Sequence, residues 1–337
     1  MCGISALVSD IRHGLQDYQK ILRQAIETYK IKNLKFVAYI GSDFEQLGKV
    51  PTFSFDNLRA ESDSWFMTEV DNITSGGECD NPVNIQFTSG TTGNPKGVTL
   101  THHNILNNAL AISGRDRINA TEKDSILLNV PFYHCFGCVL GTLIMALRGT
   151  RLIIPAPTFD VNKAIATIAA EKPSILYGTP TMYVDMLDSA ALSSLDLSQM
   201  SFNGIMGGSV CPEHLLLDLK RRLKCNIFVA YGTTENSPIT FMSTKNDSLE
   251  NKTTTVGYIM PHTEAKVVDR SGKCLAREEK GELCIRGPCT FLGYWNQEEK
   301  TNEVLGKDGW YKTGDLAIIT REGYAKIVGR ERDMIIR

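Results

Sequence analysis

The sequence has no apolar run long enough to cross a bilayer. Its longest, Cys135 to Leu147, falls well short of the ~18 residues a spanning helix needs. It also lacks a dominant charge. The formal net charge is −2, and Lys and Arg are scattered in short clusters such as Lys220 to Lys224, which gives no electrostatic case for nucleic acid or an anionic membrane. Paired Cys/His couplets at zinc-site spacing are missing, although there are nine cysteines. The lone C-x-x-C, Cys135 with Cys138, has no redox-motif context and reads as two small apolar residues in a buried turn; a reduced compartment fits this cysteine usage. The opening MCGISALVSDIRHGLQDYQK is not Arg-rich, carries acids and has no apolar signal core, so it reads poorly as a targeting segment. Sequons at Asn72, Asn119, Asn246 and Asn251 do not overturn that reading, because such triplets are common by chance.

What is present is an ordinary globular composition, 337 residues with 42% apolar and 22% charged, long enough for one large domain or two smaller ones. Apolar spacing predicts a helix from Tyr18 to Tyr29, and LKFVAYI (34–40) reads as a buried strand. Residues 41–82 show no strong period and are expected to be connecting structure. Then the pattern alternates. VNIQFTS (83–89), SILLNVPF (125–132), TRLIIP, SILYG, MSFNGIMGG and CNIFVAYG (225–232) are strands. Helices are expected over 102–113 with Thr101 as N-cap, 136–147, 161–171, from Pro180, and 212–223. This is the signature of βαβ units and a mainly parallel, buried sheet. After about Thr255 short strands are split by Gly and charged turns, which predicts a smaller antiparallel β-rich segment. The expected division is 1–80, an α/β core over 81–255, a β-rich part over 256–329 and a short stub over 330–337.

Four stretches carry chemistry. FTSGTTGNPKGV (87–98) combines three glycines, hydroxyls and a lysine after a strand, the makings of a phosphate cradle. It is not a Walker loop: Pro95 precedes Lys96 and Gly97 follows it, so the hydroxyl expected after the lysine is missing. YGTTE (231–235) offers an aromatic ring for a base, Thr234 for a phosphate and Glu235 for Mg²⁺; alone it is equally a strand-end turn with a solvated acid. In YKTGDLA (311–317) with Gly329–Arg330, Asp315 can accept from ribose hydroxyls and Arg330 can donate; separately they are also a hairpin Asp and a surface Arg. His134, in PFYHCFG, is either a packed imidazole or a site residue.

In this order the four stretches closely resemble the adenylate-forming enzymes, which include acyl-CoA synthetases, luciferases and nonribosomal adenylation domains. The likeness runs from about Asn81 to the last residue. Further stretches, such as PVNIQF, LYGTPTMYVDML, VGYIMPHTEAKV and IVGRERDMIIR, resemble a medium-chain acyl-CoA synthetase branch. The resemblance implies ATP, Mg²⁺ and CoA as reactants and cofactor, with a medium-chain fatty acid as the acid. Thr88, Ser89, Gly90, Thr91, Thr92, Gly93, Asn94, Pro95 and Lys96 would hold the β- and γ-phosphates. Tyr231 would stack on adenine, Thr234 would touch the α-phosphate and Glu235 would help hold Mg²⁺. Asp315 and Arg330 would bind ribose. His134 would stand at the acyl carboxylate, and Gly207 and Gly208 would form a wall where any side chain obstructs. Lys96, His134, Thr234 and Glu235 are the implied catalytic set, and Arg332 the hinge. A mitochondrial location is implied by resemblance alone, with a cytoplasmic one also open.

Against the family pattern the chain ends just after the hinge, and its section before the phosphate loop is short. The expectation is an incomplete N-terminal domain of the adenylate-forming fold, shortened at both ends, with weak or no thioester formation by itself. Two other readings stay open: adenylation of an aryl or other acid, and a non-catalytic nucleotide-binding form.

Overall fold

The computed structural model describes residues 3–29, 31–60, 64–88, 94–208 and 211–330. The chain divides into two compact units, Met1–Glu78 and Cys79–Arg337.

The first unit holds a three-stranded parallel sheet in which Phe36–Ile40 lies between Ala6–Asp10 and Thr52–Ser54. Leu34, Val37, Tyr39 and Leu47 form its core, with Leu22 and Ile26 of the Tyr18–Tyr29 helix packed on them. Residues 41–82, expected as connecting structure, contain the Thr52–Ser54 strand and helices Phe55–Ala60 and Ser64–Ser75. The second helix escaped the periodic reading for a physical reason. Its Phe66, Val70 and Ile73 stand at helical spacing but are exposed, so the short stripe they form is not buried against the rest of its unit.

In the second unit, five parallel strands run in the order Cys225–Gly232, Phe202–Met206, Ile175–Gly178, Ser125–Leu128, Arg151–Ile153. Ile239–Met242 and Tyr258–Ile259 extend this sheet antiparallel beyond Cys225–Gly232. Every residue of Ser125–Leu128 and Ile175–Gly178 is buried, because helices cover both faces. One face packs on helix His102–Ile112 and the helical run from Cys135 to Arg148, through Ile105, Ile112, Leu140 and Ile144. The other packs on Val161–Glu171, Pro180–Asp188 and Glu213–Arg222, through Ile168, Met186 and Leu219. The run expected as one α-helix is α over Cys135–Gly137, π over Cys138–Leu143 and α again over Ile144–Arg148. An apolar period does not reveal a widened turn, since it changes hydrogen bonding and not composition.

The phosphate-loop region differs from the βα turn expected. Pro82–Thr88 is paired antiparallel with Lys96–Thr101, and Thr88 faces Lys96, so the described flanks of the glycine-rich stretch are paired strands. Gly293–Tyr294 adds a third strand on Lys96–Thr101. Thr101 does cap the next helix: its Oγ1 accepts from Asn104 N at 3.0 Å while Asn104 Oδ1 accepts from Thr101 N at 2.9 Å. The predicted β-rich part is a four-stranded antiparallel sheet, Glu264–Val268, Lys280–Arg286, Tyr311–Ile319 and Ala325–Arg330 in that order.

Candidate active site

Strand ends of the parallel sheet, of the Pro82–Thr88 and Lys96–Thr101 pair and of the β-rich sheet converge on one cavity of about 1110 Å³. Of the residues singled out in the sequence, Thr88, Lys96, His134, Gly207, Gly208, Tyr231, Thr234, Glu235 and Arg330 line it. Asn94 and Pro95 are exposed and are not among its lining residues. Ser89, Gly90, Thr91, Thr92, Gly93 and Arg332 lie outside the described residues.

At the last pair before the glycine-rich stretch, Thr88 Oγ1 is buried with no hydrogen-bond partner. An orphaned hydroxyl beside a cavity marks a place where a ligand atom can be received. Lys96 Nζ donates to Tyr294 Oη at 3.0 Å and stands 4.3 Å above that ring. The Tyr294 hydroxyl in turn donates to Glu235 Oε1 at 2.7 Å, and Glu235 is only 6% exposed. Lysine and carboxylate are therefore joined through a phenol. Sequence reasoning missed Tyr294. The Gly293–Tyr294 strand meets Lys96–Thr101 across 198 positions of sequence, and the only local signal is an aromatic residue within the stretch FLGYWN.

On the other side, Tyr231 Oη donates to Asp315 Oδ2 at 2.6 Å, and Arg330 Nε donates to Asp315 Oδ1 at 3.0 Å. Asp315 is 4% exposed and is not among the cavity's lining residues, and its carboxylate accepts from both of these protein donors. Burial, then the neighbouring Asp315 charge, push the Tyr231 phenol well above its usual range, which keeps it a donor. Thr234 and Glu235 sit in the 3₁₀ turn Thr234–Asn236, directly after the Cys225–Gly232 strand.

The remaining wall is apolar, with Phe136, Leu140, Met182 and Ile205 among its residues. Gly207 and Gly208 also line the cavity, and each disfavours a side chain for a different reason. A Cβ on Gly207 would come within 3.1 Å of the Ala230 carbonyl oxygen. Gly208 has room, its nearest neighbour being 3.9 Å away, but its φ of +95° disfavours any side chain. The C-x-x-C thiols are held protonated, since burial pushes both Cys135 and Cys138 upward.

His134 caps the short Cys135–Gly137 helix, its Nδ1 accepting from Phe136 N at 3.0 Å. That bond favours the tautomer with the proton on Nε2. The residue retains solvent-accessible surface, yet the groups crowding its ring lower its pKa by desolvation. We expect the imidazole to be neutral at pH 7 and to titrate below about 6.5 in NMR spectra of the ring protons. For a base whose folded pKa is depressed, the unfolded chain takes the proton first, so stability falls as pH drops from the ordinary value towards the folded one. A midpoint at or above the ordinary value would contradict the desolvation of the ring.

Comparison with known proteins follows the same lines. The sequence matches the AMP-binding enzyme family over residues 14–295. It is 41% identical over 351 residues to the mitochondrial medium-chain acyl-CoA ligase ACSF2 of Bos taurus, covering 99% of this chain and 56% of that protein. With the ACSF2 of Rattus norvegicus it shares 47% identity over 263 residues, 77% of this chain and 43% of the relative. The crystal structure of the anthranilate CoA ligase AuaEII with anthranoyl-AMP superposes with a TM-score of 0.80 at 22% identity, covering 99% of this chain and 60% of that one. The chain thus spans little more than half the length of these curated relatives. A family match over most of the sequence, and identity above 40% across nearly all of it, establish that the chain belongs to the AMP-binding enzyme family.

Proposed function

We propose that the protein is the adenylating part of an ATP-dependent acid–CoA ligase acting on medium-chain fatty acids. The observation that carries this reading is the mixed lining of one cavity: the polar groups Thr88, Lys96, Tyr231, Thr234, Glu235 and Arg330, and the apolar side chains Phe136, Leu140, Met182 and Ile205. ATP suits the first and an alkyl chain the second. The names of the curated relatives support the same substrate class, and their mitochondrial designation supports that location.

In this reading a carboxylate oxygen attacks the α-phosphorus. The bond to the β-phosphate oxygen breaks, and pyrophosphate leaves. The thiol of CoA then attacks the acyl carbon, AMP departs, and the thiol proton passes to solvent. Thr88 and Lys96 receive the leaving phosphates, and Thr234 donates to the α-phosphate. Tyr231 presents its ring to the base, and Arg330 donates to the ribose. Asp315 acts through Tyr231 and Arg330 by fixing both. His134 offers Nε2–H to the acyl carboxylate. Glu235, buried, acceptor-only and already facing a lysine through Tyr294, has the chemistry to hold Mg²⁺. When bound, the ion would offset the repulsion between carboxylate and polyphosphate. The proposed organisation places the α/β core at 81–255, the β-rich part at 256–329 and the hinge at Arg332.

The test is acid-dependent ATP–pyrophosphate exchange by this chain across a series of fatty and aryl acids. Exchange peaking at medium-chain acids is expected. Exchange confined to aryl acids would replace the substrate class. ATP binding without exchange for any acid would leave a nucleotide-binding role.

A further inference from the structure

A second cavity, of about 1040 Å³, opens elsewhere in the Cys79–Arg337 unit, and the proposed reaction does not use it. Its wall contains Arg117, which is 8% exposed. A guanidinium cannot shed its charge, so burying one is costly unless an anion compensates it. Here the compensation is poor. Arg117 Nη2 reaches only the Ile259 carbonyl, at 3.5 Å, and Nε is buried without a partner. No carboxylate lies within ion-pair distance of Arg117 among the described residues. Asp247, the nearest acid by its influence, is already taken by Thr244 and by the Tyr324 hydroxyl.

The groups around Arg117 point to what is missing. Arg115, Lys245 and His262 line the same cavity and are exposed; Asp116 is the one acid there. Three permanent cations against one carboxylate leave the cavity net positive. Several cations around one point suit an oxyanion with two charges and several acceptor oxygens better than a single carboxylate. Tyr258, 42% exposed on the cavity wall, offers a ring to an organic body attached to that anion.

The second cavity shares no lining residue with the reaction site. Asn108, on helix His102–Ile112, donates to Ile239 O at 2.7 Å and accepts from Ile239 N at 3.1 Å. Ile239 lines the first cavity, whereas Leu110 of the same helix and Thr244 line the second. We propose that the second cavity is a binding site for a phosphate group, inorganic or carried as a phosphomonoester, with Arg117 as its buried counter-charge and Arg115 and Lys245 as its outer contacts.

The experiment uses the 337-residue chain carrying Lys96→Ala, which weakens phosphate binding at the reaction site. Inorganic phosphate and phenyl phosphate are titrated by calorimetry and by thermal melting. Saturable binding and a raised melting temperature are expected. Arg117→Met is expected to weaken binding roughly tenfold to hundredfold, the worth of a charge-assisted hydrogen bond. Without phosphate it is expected to melt no lower than its parent, because it removes an uncompensated charge. The exposed pair Arg115→Ala with Lys245→Ala, which carries little risk to folding, is expected to weaken binding several-fold and to flatten its salt dependence. Tighter binding of phenyl phosphate, lost in Tyr258→Ala, would identify a phosphomonoester; equal affinities would identify inorganic phosphate. Absence of saturable binding, or binding unchanged in both sets of variants, would overturn the proposal.

Discussion

Gly232→Ala is expected to lower stability by upwards of about 3 kcal/mol and to abolish nucleotide binding. Gly232 ends the strand that carries Tyr231, at a register shift opposite Ile239. A Cβ there would lie 1.7 Å from the Pro238 carbonyl oxygen, 2.7 Å from its carbon and 2.9 Å from Ile239 Cα. All three are backbone atoms, so no rotamer change relieves the overlap. The Cys225–Gly232 and Ile239–Met242 strands would have to part. That would carry Tyr231 away from Asp315 and tilt the Thr234–Asn236 turn that holds Glu235. Urea unfolding monitored by circular dichroism, with ATP binding by calorimetry, checks both halves. An unfolding midpoint equal to that of the parent would show that the two strands do not approach as closely as described here. For comparison, Gly314→Ala meets no atom within 4 Å and carries only the strain of its φ of +73°. It is expected to cost about 1 kcal/mol.

The contrast between these glycines shows what a sequence can and cannot reveal. Strands buried on both faces, such as Ser125–Leu128 and Ile175–Gly178, are legible because burial demands an unbroken apolar run. The motif residues Lys96, Tyr231, Glu235, Asp315 and Arg330 are legible because each combines a reactive group with a turn-forming neighbour. Their mutual arrangement is not. That Asp315 spends its carboxylate on its cross-strand partner Arg330 and on Tyr231 of another sheet depends on strand pairing and sheet packing, which leave no local trace. The Lys96–Thr101 strand was hidden because its first residues read equally well as the end of the glycine loop. Tyr294 was invisible for the same long-range reason, and it occupies the centre of the polar wall.

That position makes the Lys96–Tyr294–Glu235 chain the most sensitive part of the site. Glu235→Gln keeps the shape of the side chain and its hydrogen bond to Tyr294 but removes the negative charge. Two consequences follow from the proposed roles: a divalent cation would lose its buried anionic ligand, and Lys96 would lose the carboxylate it faces through Tyr294. Pyrophosphate exchange is expected to fall by about 10²–10³, the usual cost of removing one preorganised electrostatic partner. The Mg²⁺ concentration giving half-maximal ATP binding is expected to rise by at least about tenfold. Tyr294→Phe separates the two consequences. It leaves both charges in place and deletes only the bridging hydroxyl, so exchange is expected to fall by roughly tenfold with the Mg²⁺ requirement unchanged. Lys96→Met completes a double-mutant cycle with Glu235→Gln. Coupling of about 1–3 kcal/mol is expected, since the two residues act through one phenol. A Mg²⁺ requirement that does not move in Glu235→Gln would place the metal on other groups. Strict additivity of Lys96→Met and Glu235→Gln would mean that the phenol bridge couples nothing, and that lysine and carboxylate serve ATP independently.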